Sequence, residues 1–125
     1  MADQIDNEHI FSTTDPLGRD IILKQSTWDE HIKDRHGEEG IENIKINLEM
    51  PNYITENVGK VTSEYDRNCF FRLINLNSNF YMQKTVVEFK ENSSFGEVVT
   101  SHVMRKITSN INEGGIIYDS SKNQN

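Results

Sequence analysis

The residues of this 125-residue chain with chemistry to offer near neutral pH are few: four histidines (His9, His31, His36, His102) and a scatter of basic and hydroxyl side chains. Histidine titrates close to neutrality and serves as general acid or base. Arginine and lysine hold phosphate oxygens. Together these types suit metal-free cleavage of RNA. That reaction needs a base for the 2′-OH, an acid for the leaving 5′-oxygen, and donors for the phosphate. His31, Arg35 and His36 cluster in one segment, and Thr100 and His102 stand two apart on a strand candidate, on one face of it. Lys84 and Arg72 lie on a neighbouring hairpin. The catalytic candidates are therefore His31, His36, Thr100 and His102, and the phosphate-binding candidates are Arg35, Lys84 and Arg72. His9 has no role.

No metal or cofactor is expected. His31 and His36 are five apart, which does not stack them on a helix as the i, i+4 zinc spacing does. No phosphate-cradling glycine loop, nucleophile elbow or dinucleotide fingerprint occurs. Each candidate also has a structural account. His31 can pack beside Trp28, and Arg35 and His36 can complement a helix C-terminus. Thr100 is a good strand former, and Lys84, Arg72 and His102 can be solvated surface groups. Only their combination points to catalysis.

The elements that must position these groups read as follows. Phe11–Thr14 and Arg19–Leu23 form a hairpin across the turn Asp15-Pro16-Leu17-Gly18. Ser26 is an N-cap candidate with Asp29 three residues on, and a helix runs over 27–35, placing Trp28, His31, Ile32 and Arg35 on one face. A second helix covers 39–49 with the stripe Ile41, Ile44, Leu48, stopped by Pro51. Strands follow at 52–56, 69–74, 80–89, 95–103 and 116–118, with a polar loop over 57–66 and an Asn-rich turn over 75–79. Helices followed by a meander of strands indicate an α+β fold. Residues 1–8 and 119–125 read as polar tails around a single domain, 9–118.

Composition sets outer limits. The formal charge is −7, and hydrophobic residues make up 34%. Residues 1–50 carry five Lys/Arg against twelve Asp/Glu, whereas residues 60–106 carry seven against five. That balance argues against nonspecific coating of nucleic acid but leaves room for a local positive cleft. No apolar run approaches the ~18 residues of a membrane span. The N-terminal residues lack a secretory pattern, so a cytoplasmic location is expected, with delivery to another cell compatible. The single cysteine, Cys69, excludes an internal disulfide.

Several segments together resemble a known family. They are Asp15-Pro16-Leu17-Gly18-Arg19, Ile21-Ile22-Leu23, Trp28-x-x-His31-Ile32 running into Arg35-His36, a helix closed by Pro51, and Val98-Val99-Thr100-Ser101-His102. The pattern resembles the phage-associated branch of the barnase/EndoU/colicin/RelE-like (BECR-fold) nucleases, over about residues 11 to 107. Gly37-Glu38 and Ser101-His102 depart from that branch, which has Pro-Glu and Ala-Tyr there. The resemblance implies two N-terminal helices packed on an antiparallel, roughly four-stranded sheet. It implies a metal-independent endoribonuclease, a toxin or effector of a mobile element, leaving 2′,3′-cyclic phosphate ends. His31, His36 and Thr100 would match motif positions, with Arg35 as helper. The partners implied are an RNA substrate and an immunity or antitoxin protein. The alternative is a catalytically inactive module of the same fold that binds a protein through its acidic face.

Overall fold

The computed structural model describes residues 9–33, 40–56, 65–90, 94–104 and 115–122. The first hairpin is β1 (His9–Thr14) and β2 (Asp20–Lys24). Its turn closes where the Gly18 N–H donates to the Asp15 carbonyl at 2.9 Å, with Gly18 at φ +85°, a conformation glycine adopts without strain. A short helical segment follows, here α1, made of the α-turn Gln25–Thr27 and the π-turn Trp28–Ile32. Helix α2 is Gly40–Glu49. The strands β3 (Tyr53–Glu56), β4 (Tyr65–Leu76), β5 (Asn79–Lys90), β6 (Phe95–Met104) and β7 (Ile116–Asp119) complete the described elements.

These strands overturn the expected architecture. Among the described residues the sheet has seven strands, not about four, in the order β1-β2-β6-β5-β4-β3-β7. It is mixed rather than antiparallel, because β2 runs parallel to β6 from Asp20↔Phe95 to Ile22↔Glu97. The two helices are short and subordinate to it. The reason lies in the first hairpin. Ile21 and Leu23 are fully buried, and a free β2 would leave both those side chains and a row of backbone groups without cover. Docking along β6 satisfies both. At the far edge β7 pairs with β3. β4 also starts earlier than its apolar pattern suggests. The polar residues Arg67 and Asn68 are strand residues because Glu88 and Arg19 meet their side chains.

Alternation of side chains divides the sheet into two faces. On the helix face, Ile21, Leu23, Phe70, Val87, Phe89 and Val98 pack with Ile32 of α1 and Ile44 and Leu48 of α2. The anticipated α2 stripe is thus the buried one. It also carries Asn47, fully buried, whose amide nitrogen donates to Phe70 O and to Thr85 Oγ1, both at 2.9 Å. Thr85 Oγ1 lies 2.9 Å from Ser101 Oγ, so the bonds continue across β5 to β6. On the opposite face, Cys69, Phe71, Met82 and Val86 form a second cluster with Tyr53, Val99 and Met104.

The turn at Asp15 is also a tertiary hub. The Asp15 carboxylate accepts from the N–H of Leu17 (3.0 Å) and Arg19 (2.9 Å) and from Arg19 Nε (2.9 Å), and pairs with a second guanidinium nitrogen at 2.9 Å. Arg19 then donates to Asn68 Oδ1 at 2.7 Å and lies 4.1 Å over the Phe89 ring. The Asp-Pro-Leu-Gly-Arg segment therefore pins the first hairpin to β4 and β5.

Candidate functional site

α1 leaves β2 without a break. Lys24 occupies the cap position in extended backbone, and no side chain caps the helix, so Ser26 is not the N-cap expected from sequence. The backbone then widens: the Lys33 N–H reaches the Trp28 carbonyl, an i→i+5 bond. A wider turn changes which side chains share a face. Ile32 remains fully buried and Trp28 packs partly buried against the core, while His31 is turned out to an exposed position. The 3.6-residue spacing that put His31 on the Trp28 face does not hold here. Single π-turns of this kind recur at functional sites.

His31 lines a cavity of about 550 Å³. Thr27 joins it from α1, Glu88 and Lys90 from β5, and Phe95, Glu97, Val98 and Val99 from β6. Strand register orders the sheet wall into rows. Glu88 and Glu97 are direct cross-strand partners, and one step further Phe89 pairs with Gly96. Continuing that register places Lys90 beside Phe95. Val99 is the extra residue of a bulge, because Val86 pairs with Thr100 but Val87 with Val98. Bulges re-aim side chains next to sites.

Two carboxylates directly opposite each other repel. Here each has a flanking cation: Lys24 Nζ is 3.3 Å from Glu97 Oε1, and an Arg67 guanidinium nitrogen is 3.4 Å from Glu88 Oε1. Both pairs are part-exposed, so each contributes at most about 1 kcal/mol. The arrangement holds two carboxylates side by side without burying them, and among the described residues each has one cationic partner, which leaves lone pairs for a ligand. With His31 and Lys90 in the same cavity, it can move protons and hold an anion.

The sequence candidates divide. His31 lies in the cavity. Thr100 and His102 share the face of β6 that carries Glu97, as their spacing implies, but lie farther along the strand past the Val99 bulge, and His102 pairs with Lys84 in register. Lys84 Nζ stands 6.0 Å from the Phe71 ring centroid on that face. Arg72 pairs with Gln83, which places it on the helix face, away from Lys84. Thr100, His102, Lys84 and Arg72 do not line the cavity. Arg35 and His36 lie outside the described residues. Sequence reasoning missed Glu88, Lys90, Phe95 and Glu97. The available signal was the two-residue spacing in Glu88-x-Lys90 and Phe95-x-Glu97, which puts each pair on one face of its strand.

Burial pushes the Cys69 thiol above its ordinary value of 9.0, against smaller opposing effects of Lys84, a hydrogen bond with Thr55, and Arg67. Such a thiol stays protonated and is not a nucleophile near neutrality. Among the described residues no group of three or more His, Cys, Asp or Glu side chains is placed to hold a metal ion. Among them, too, no helix is long and apolar enough to cross a membrane.

No family model, curated protein or solved structure matches this chain. The reading of the site therefore stands on its residues and their geometry.

Proposed function

We propose that the chain is a metal-independent endoribonuclease whose site is the α1 cavity. His31 and one carboxylate of the Glu88–Glu97 pair exchange protons with the substrate, and Lys90 holds the scissile phosphate. The observation that supports this is the meeting of His31, released by a π-turn, with two adjacent carboxylates and a lysine in one cavity. A cavity of this volume falls in the range that takes a nucleotide-sized ligand.

The chemistry balances without a further reactant. One group takes the 2′-OH proton as O2′ bonds to phosphorus. The P–O5′ bond breaks, and the other group protonates the leaving O5′. A 2′,3′-cyclic phosphate and a 5′-OH result. Lys90 offsets the charge that develops on the phosphate oxygens.

The test is cleavage of a defined single-stranded RNA in EDTA by wild type and His31→Ala, with analysis of the product ends. The expected result is cyclic phosphate ends from the wild type and a loss of roughly 10²–10⁴ in rate for the variant. Equal rates would remove His31 from the mechanism. No cleavage by folded wild type would favour the inactive protein-binding module.

A further inference from the structure

One lining residue has no part in the proton transfers. Phe95 is the aromatic ring that β6 contributes to the cavity lining, and the residue is 45% exposed, which leaves part of the ring within reach of a ligand. Its position is tightly set. Its backbone is paired to Asp20 of β2 on one side, and the Asp20 N–H donates to Ser94 O at 3.0 Å just before it. On the other side Gly96 packs on β5 so closely that a Cβ there would fall 2.7 Å from Phe89 and 2.8 Å from Val87. That contact lies on the helix face and directs Phe95 and Glu97 together to the other.

The wall thus presents two successive rows about 7 Å apart along the strands, two residues of rise. One holds an aromatic ring beside a lysine, and the next holds the two carboxylates. An aromatic face takes any nucleobase by stacking, and a lysine takes a phosphate.

We infer that Phe95 is the base-stacking platform of this cavity, and that its ligand is a nucleoside phosphate unit with the base on Phe95 and the phosphate on Lys90. The inference rests on the nucleolytic reading of the same site, and adds to it that recognition works through the base plane. It makes the substrate single-stranded, since a paired base is stacked on its neighbours and unavailable. Phe95 is a binding residue, and its loss acts on affinity rather than on the proton transfers.

The test uses the full chain with two probes, adenosine 3′-monophosphate and ribose 5-phosphate, which lacks a base. Binding is followed by calorimetry on wild type, Phe95→Ala, Phe95→Tyr and Lys90→Gln, with folding checked by circular dichroism. The expected result is preference of the wild type for the nucleotide. Phe95→Ala should weaken nucleotide binding by about 5- to 100-fold, leaving ribose phosphate unchanged, and Phe95→Tyr should restore it. Lys90→Gln should weaken both probes. Equal nucleotide affinity in wild type and Phe95→Ala would overturn the platform, as would a wild type that binds neither probe. Cleavage assays on the same variants keep the two claims apart. A Phe95-dependent nucleotide site with no RNA turnover would uphold the platform and remove the nuclease reading. Turnover with an unaltered KM in Phe95→Ala would do the reverse.

Discussion

Asp15 and Glu88 are both carboxylates beside an arginine, and their circumstances are opposite. The Asp15 side chain is fully buried and its oxygens are occupied by two backbone N–H groups and the fork of Arg19. Glu88 is part-exposed, pairs with Arg67 at 3.4 Å, and faces Glu97 across the strands at a cavity wall. A saturated carboxylate has nothing left to offer a ligand, so its work is structural. One with open lone pairs beside a like charge contributes little to stability and can act on a substrate. Asp15 to Arg19, one of the segments that carried the family resemblance, belongs to the first kind.

The two regions are nevertheless joined. Arg19 lies over Phe89, Phe89 packs against Gly96, and Gly96 separates Phe95 from Glu97, two of the four β6 residues that line the cavity. The hub braces the wall from behind.

Substitutions at the two regions should separate stability from activity. The largest stability effect is expected for Asp15→Ala, which strips the partner from the mostly buried Arg19. A loss of about 3–5 kcal/mol in urea unfolding is anticipated. A loss below about 1 kcal/mol would show the hub to be an ordinary surface pair. Gly96→Ala should come next, at about 1–3 kcal/mol, because the added methyl overlaps Phe89 and Val87. As it sits behind Phe95 and Glu97, it should also weaken nucleotide binding. Unchanged binding would break the link between brace and wall.

The smallest effect concerns Cys69, which lies in neither region. Its raised thiol pKa means that the unfolded chain ionises first as pH rises. The stabilisation should be complete below pH 9 and lost progressively above it, through the folded-state pKa. Urea unfolding of wild type and Cys69→Val at pH 8 and pH 10 should show the wild type losing the greater stability. An equal loss would contradict a buried, protonated thiol.

Much of the local structure was legible in the sequence. The Asp15–Gly18 turn, the Ile41/Ile44/Leu48 stripe and the centres of the strands follow from turn chemistry and periodicity. What was hidden depends on distant partners. Nothing near Asp20–Ile22 announces parallel pairing with Phe95–Glu97, so the seven-stranded mixed sheet could not be anticipated from local pattern. On β5 both faces are buried, with Met82 and Val86 on one and Val87 and Phe89 on the other, which erases the alternation that shows a strand's facing. Gln83 and Thr85 are polar and yet fully buried, Thr85 being matched by Asn47 and Ser101. Of the residues lining the cavity, His31 is the one singled out from the sequence, for its imidazole chemistry and not for its placement. The spacing that grouped His31 with Trp28 assumed an α-helix, and the π-turn delivers it to the cavity instead.

The central claim is that the Glu88–Glu97 pair is kept for chemistry rather than for stability. The most direct test is a Glu88→Gln/Glu97→Gln double variant, measured for single-turnover cleavage of single-stranded RNA in EDTA and for urea unfolding on the same preparation. The account predicts stability within about 0.5 kcal/mol of wild type, since part-exposed pairs contribute little, together with a rate lower by roughly 10²–10⁴. A variant that cleaves at the wild-type rate, or one whose activity falls only because it unfolds, would contradict it.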